Sequence, residues 1–241
     1  MSTILETATV TRPNISNIDL MTTSESFQRA RSPEQKEERR LHLLKTAKVA
    51  LSNGTELSEL GLNELARQAQ MTKSNVYRYF ENREELLLAL LEEESAHWQF
   101  DLAKRLIAMP QPTATQIAQA FVDASVAYPL MCRLFSILPS IIEHNVSGER
   151  LTTFKLSAVA SMGEIVHQLY RCMPSIPVEN HIAFVRQAMA LIIGLWPLSH
   201  PHDTLAQVLS LPKLKPLRYH FETDLMAGLL LLLRGLDSPE G

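Results

Sequence analysis

The sequence predicts an all-α protein. Apolar residues recur at helical spacing through nine successive segments, no stretch alternates as a half-buried strand does, and prolines and glycines punctuate the intervals. Ser32-Pro33-Glu34-Gln35 combines a capping hydroxyl, a proline at the first helical position and a glutamine at the third. The first helix is therefore expected from 33 to Asn53-Gly54, with Leu41, Leu44, Ala47 and Leu51 on one face and Lys36, Arg39, Arg40, Lys45 and Lys48 elsewhere. Leu62, Leu65, Ala66 and Ala69 mark a short second helix opened by Gly61, with Glu64 placed to reach back to its first amides. After Gln70-Met71, Thr72 caps a third helix expected to run through Phe80, where Val76 and Phe80 face inward at i, i+4. Asn82 with Glu85 starts a fourth, near 83–108. Further helices are expected near 114–128, 130–145, 149–173, 178–196 and 217–235, separated by Pro110, Pro112, Pro129, Gly148, Pro174, Pro177 and Pro197. Residues 1–32, rich in Ser, Thr and Asn and without period, are expected to be a disordered tail.

Composition removes several classes of function. The 241 residues hold only 8 glycines, spaced so that neither G-x-G-x-x-G nor G-x-x-x-x-G-K-[ST] can be written, which excludes the two common nucleotide-binding loops. Cys132 and Cys172 are too far apart for a C-x-x-C pair, and a reducing compartment suits two free thiols. The first thirty residues lack the apolar core of a signal peptide, and the longest apolar stretches, Met189–Leu198 and Leu225–Leu233, fall short of the roughly 18 residues that span a bilayer. A cytoplasmic protein with no membrane span is expected. No Ser/His/Asp set or close carboxylate pair demands catalysis, so no enzyme and no cofactor are expected. His200 and His202, beside Asp203, have neither H-E-x-x-H spacing nor a third well-placed ligand and read as a surface loop.

Charge is segregated. Residues 31–80 carry nine Lys/Arg against six Glu, whereas 81–241 carry twelve against seventeen Asp/Glu. Two short helices joined by a three- to four-residue turn behind a longer basic helix form the helix-turn-helix pattern, whose second helix enters the DNA major groove. The positive end of the chain is the end that carries it.

The run Leu65-Ala66-Arg67-Gln68-Ala69-Gln70-Met71-Thr72-Lys73-Ser74-Asn75-Val76-Tyr77-Arg78-Tyr79-Phe80, followed by Asn82-Arg83-Glu84-Glu85-Leu86, resembles the tetracycline-repressor (TetR) family over about 34–95. Two positions depart from the pattern: Gln70 stands where a glycine usually lies between the short helices, and Ser74 where glycine is frequent. Gln70 in that place has to adopt a left-handed conformation. The resemblance implies a DNA-binding domain over 33–97 and a helical effector-binding and dimerisation domain over 98–241. It implies that Thr72 and Lys73 meet a phosphate at the start of the recognition helix, that Ser74 and Asn75 read bases, and that Tyr77 and Tyr79 clamp the backbone. Arg83 can reach the same strand, and Arg78 lies near this face. Taken singly, a helical Lys or Arg is usually solvated surface; as a set on one short helix, these residues point to DNA.

The C-terminal segment has no motif of that specificity. Ile182, Val185, Met189, Ile192, Ile193 and Trp196, then Leu217, Phe221, Leu225, Leu229, Leu230 and Leu233, make the last two long helices apolar nearly all round in their later turns. The resemblance implies that these helices, about 178–196 and 217–235, pair across a homodimer. Trp98, Tyr128, Met131, Phe135, Met162 and Met189 are candidate walls for an effector pocket, although core packing accounts for each equally well. The expectation is a repressor released from operator DNA by an unidentified small molecule. The alternative is an all-α ligand-binding protein or enzyme whose basic N-terminal helices are incidental.

Overall fold

The computed structural model describes residues 32–236, so the tail expected at 1–32 lies almost wholly outside them. Among the described residues every regular element is helical. The first is α1 (Pro33–Ser52), which opens on Ser32, whose Oγ accepts from the Gln35 amide at 3.2 Å. Next come α2 (Leu62–Gln68), α3 (Lys73–Val76) and α4 (Arg83–Ile107). Leu43, Leu44, Leu65, Val76, Phe80, Leu86 and Leu87 are buried together, so the inward positions expected of α1 to α4 close one small core. Leu41, expected on the inner face of α1, is instead half exposed, and Leu43 takes the buried place.

The turn between α2 and α3 is closed by backbone geometry. Gln70 has φ 54°, its amide donates to Arg67 O at 3.2 Å, and the Met71 amide donates to Ala66 O at 2.9 Å. Those two bonds form the Schellman closure of α2, which is why the chain needs a left-handed residue there. Glu64 does not reach back to the amides of α2. It binds Arg67 and Gln68 along the helix, and the Arg67 guanidinium, first among the causes, pulls its carboxyl down to about 2. Gly61 leaves that helix start without a side-chain cap. The third helix is regular for four residues only, and Tyr77 to Phe80 continue as a tight turn held by bonds such as Tyr79 N to Val76 O at 2.9 Å.

The central element is α4, about 37 Å long at 1.5 Å per residue. Asn82 Oδ1 caps it by accepting from the Glu85 amide at 2.8 Å. Around it lie α5 (Ala114–Ala127), opened by a Thr113/Gln116 capping box, α6 (Pro129–Ile137), α7 (Glu143–Asn145) and α8 (Gly148–Cys172). The single helix expected at 130–145 is interrupted by a π-helical turn over Leu138–Ile142, where Pro139 supplies no amide to an α-helical ladder. The chain bends by 86° where α5 gives way to the run beginning at Pro129.

Behind α8, α9 (Val178–Ser199) packs on α6, α8 and α11 (Phe221–Leu236). Pro197, expected to end the helix, lies inside α9; Ser199 Oγ donates to Leu195 O at 2.7 Å and holds the last turn. The helix is thereby long and apolar enough to cross a membrane by length and composition, more so than its apolar stretches suggest, with 28% of its most apolar window buried. The segment expected as a loop after His200 contains α10 (Asp203–Leu209) and a 3-10 helix over Pro212–Leu217, neither with a buried residue. Arg218 ties this arm together by donating to the carbonyls of Leu209 and Ser210 at 2.6 Å each. The last helix therefore starts at Phe221 rather than Leu217. Gly228 on α11 lets α9 approach closely, since a Cβ there would lie 2.8 Å from Leu191 Cδ1.

Candidate functional site

The recognition turn grows from Thr72 outward. Val76 and Phe80 are anchored in the core, which leaves Thr72, Lys73, Ser74, Tyr77 and Arg78 exposed and Asn75 and Tyr79 half-buried. Thr72 does not cap with its side chain; its Oγ1 lies 3.3 Å from Ser74 Oγ. Lys73 and Arg78 have no ion-pair partner among the described residues, so both charges are available to an incoming phosphate. Tyr77 is 49% exposed while Tyr79 packs against the core, which makes Tyr77 the freer ring. With one helical turn, the dipole expected to favour an anion at Thr72 and Lys73 is small.

Arg83, expected to reach the same strand, is engaged within the chain. Its guanidinium donates to Glu84 Oε1 at 2.7 and 3.0 Å and to the Ser58 carbonyl at 3.0 Å, so it braces the loop before α2 with its charge already compensated.

The second feature is a cavity of about 590 Å³ between α4, α6, α8 and α9. Trp98, Phe135, Met162 and Met189 stand on its wall, as expected, whereas Tyr128 and Met131 do not. Met131 is fully buried in the core, and Tyr128 lies at the α5–α6 bend with its ring 6.4 Å from that of His97. Sequence reasoning passed over Ser95, Gln99, Phe154 and Arg186, which also line it. Ser95 was accessible from pattern, since it lies one turn before Trp98 on the same face of α4. Trp98 also anchors an edge-to-face chain with Phe121 and Phe184, at centroid distances of 6.2 and 5.4 Å.

Cavity and recognition turn are joined by α4 and by polar bridges. Lys48 of α1 is paired with the buried Glu94 of α4, and Arg133 of α6 with Glu56 in the loop before α2. Asn82 Nδ2 donates to Asn145 O at 2.7 Å, tying the start of α4 to α7. Glu93, Glu94 and His97 bring three potential metal ligands within 4.8 Å of one another, but Glu94 is the carboxylate that Lys48 engages. His200 stacks on Trp196 at 4.0 Å.

Comparison with known proteins fits this arrangement. A family model described as the tetracyclin repressor-like C-terminal domain matches residues 92–240, and one for bacterial regulatory proteins of the tetR family matches residues 54–90. No curated protein matches the sequence. Among solved structures, a TetR/AcrR transcriptional regulator from Thermobifida fusca aligns with TM-score 0.53 at 15% identity, covering 83% of this chain and 100% of that one. A possible TetR regulator from Streptomyces coelicolor gives 0.53 at 18%, covering 82% and 98%. The RolR complex with resorcinol gives 0.50 at 16%, covering 82% and 96%. The likeness to these structures is one of fold. With the C-terminal model alone spanning more than half of the sequence, and a helix-turn-helix in front of it, the chain belongs to the TetR family of DNA-binding transcriptional regulators.

Proposed function

We propose that this regulator is a cytoplasmic homodimeric repressor, which binds a pseudo-palindromic operator and is released by a small apolar molecule held among α4, α6, α8 and α9. One observation carries the reading. A set of side chains able to meet phosphates and bases (Thr72, Lys73, Ser74, Tyr77 and Arg78 exposed, Asn75 half-buried) stands at one end of a structure whose other end holds a cavity, with α4 continuous between them. Lys73 and Tyr77 hold the backbone, Ser74 and Asn75 read bases, and Tyr79 supports them from its half-buried place. Arg83 contributes by bracing the loop before α2.

Dimerisation through α9 and α11 accounts for how much of α9 is left exposed by its own chain. Two recognition turns on a two-fold axis then meet successive major grooves about 34–36 Å apart. A ligand that fits only one arrangement of α4 against α6 and α8 shifts the population away from that spacing, and a coupling of about 1–3 kcal/mol changes operator affinity roughly 5- to 150-fold. RolR, whose structure holds resorcinol, illustrates that a similar fold accommodates a small phenol.

The test is selection of bound fragments from genomic DNA by the purified protein at near-physiological salt. Enrichment of a pseudo-palindrome whose half-sites are one helical turn apart is expected. A bound pool without a shared sequence overturns the proposal.

A further inference from the structure

We infer that the middle of α8, residues 156–164, is the wall of the cavity that closes on the effector, and that this closure reaches the recognition turn. The inference deepens the effector reading above and rests on it. Helical period counted from the buried Phe154 puts Ala158, Ser161 and Met162 on the inward face, in line with the buried Ile165 and Leu169. Yet no residue from Lys155 to Glu164 is buried: Ala158 is exposed, and Ser161 and Met162 are half-buried. All three line the cavity, so the inward face of α8 meets open space where a packed helix would meet its neighbour. On the outer side, Leu156 is 67% exposed. Ser157, Ala158 and Ser161 are too short to fill the space in front of α4. Among the described residues one hydrogen bond crosses it, from Gln99 Nε2 to Ser161 O at 3.3 Å.

Both ends of α8 are fastened. At its start Ser147 Oγ accepts from the Arg150 amide at 3.3 Å, the Arg150 guanidinium engages both carboxylate oxygens of Glu92 on α4, and Phe154 is buried. At its far end Ile165, Val166 and Leu169 are buried. A helix held at both ends and unpacked between them can bow, because helices curve gently without breaking their ladder of bonds. Phe135, Phe154, Met189 and Ile193 line the same space. An apolar molecule set among them takes their surface and the inward face of α8 out of water together, a burial available only to the closed arrangement. The start of α8 follows α7, where the Asn145 carbonyl accepts from Asn82, the residue that caps α4 beside the recognition turn. Movement of α8 therefore reaches the first turns of α4 through Arg150–Glu92 and Asn145–Asn82.

Amide hydrogen exchange on the full chain, without added ligand, tests this directly. An ordinary helix frays from its ends, so its middle exchanges slowest. Here residues 157–164 are expected to exchange about tenfold or more faster than residues 165–171 of the same helix. Ala158→Phe sets a ring into the cavity in the place of an effector, while Ala160→Phe makes the same change on the outer face at the same cost in helix propensity. The first is expected to slow exchange over 157–164 about tenfold and to weaken operator binding about fivefold or more, and the second to leave both unchanged. Ala158→Leu, a smaller filler, should act in the same direction and replaces the phenylalanine variant if that one fails to fold. Exchange over 157–164 as slow as over 165–171, equal effects of the two phenylalanine substitutions, or slowed exchange with unaltered operator affinity overturns the inference. Operator affinity of the unsubstituted protein, measured on the same preparation, separates the two readings: if it is present while exchange follows the ordinary order, only the closing wall fails, and if it is absent the regulator reading fails with it.

Discussion

Lys73 and Asn75 stand two positions apart on one short helix, and the proposed function gives them different work by charge and shape. A lysine meets any phosphate equally, whereas an asparagine offers a paired donor and acceptor that match adenine. Lys73→Ala is therefore expected to weaken binding to all sequences and to make the salt dependence shallower by about one unit of slope, whereas Asn75→Ala costs about 1–3 kcal/mol at one base position; anisotropy titrations over a salt series check both. Gln70 carries a strain that glycine would not, because its side chain is held at φ 54°. Gln70→Gly should raise stability by up to about 1 kcal/mol in urea unfolding, the relief of a left-handed non-glycine residue offsetting glycine's greater freedom when unfolded. That position was legible in the sequence, since a helix-turn-helix needs a left-handed closure there whatever residue fills it. Arg83 was not, because the Ser58 carbonyl that holds it comes from a loop 25 residues away. His181 is buried, with Nε2 donating to Met173 O at 3.2 Å and Nδ1 unpartnered. Burial is the main cause holding its pKa below 6.5, and the Met173 carbonyl opposes it. The folded protein thus binds fewer protons than the unfolded chain, so this contribution to stability is present above about pH 6.5 and lost as pH falls below it. The melting temperature should fall through that window, and less steeply in His181→Phe.

At the scale of elements, helix starts were readable wherever a side chain caps them. Ser32 and Asn82 open α1 and α4 as their sequence positions require. The exceptions share a cause. Proline punctuates a helix only when its missing amide would break bonds that nothing replaces; Pro197 sits in the last turn of α9, where Ser199 Oγ takes up the Leu195 carbonyl, so the helix runs on. Pro139 lies in mid-run and the chain answers with a π turn, a choice that hydrophobic period cannot reveal. The arm from α10 to the 3-10 helix buries no side chain, so it left no inward-facing periodicity to read. Of the six candidate cavity residues, four lie on the wall, because composition selects aromatic and methionine side chains without saying which face of a bundle they meet. Packing between α9 and α11 depends on Gly228, whose missing side chain admits Leu191. Gly228→Leu should therefore destabilise the protein by about 1–3 kcal/mol in denaturant unfolding through overpacking, even though leucine is the better helix former.

For the molecule as a whole, one apolar core runs from α1 through α4 to α9 and α11. Such a core leaves no hinge of loose linker between the recognition turn and the cavity; α4 belongs to both, the Lys48–Glu94 and Arg133–Glu56 bridges tie α1 and the loop before α2 to the rest, and Asn82–Asn145 ties the start of α4 to α7. On the proposed function, a change in how α4 lies against α6 and α8 would alter where the recognition turn points, the differential contact that population shift requires. The central claim is that this turn reads a defined sequence. It is tested most directly by titrating one selected operator duplex and its scrambled counterpart side by side, at near-physiological salt, with fluorescence anisotropy. The account predicts that the operator is bound about 10³-fold or more tightly than the scrambled duplex. Equal affinities that vanish together as salt rises would contradict it.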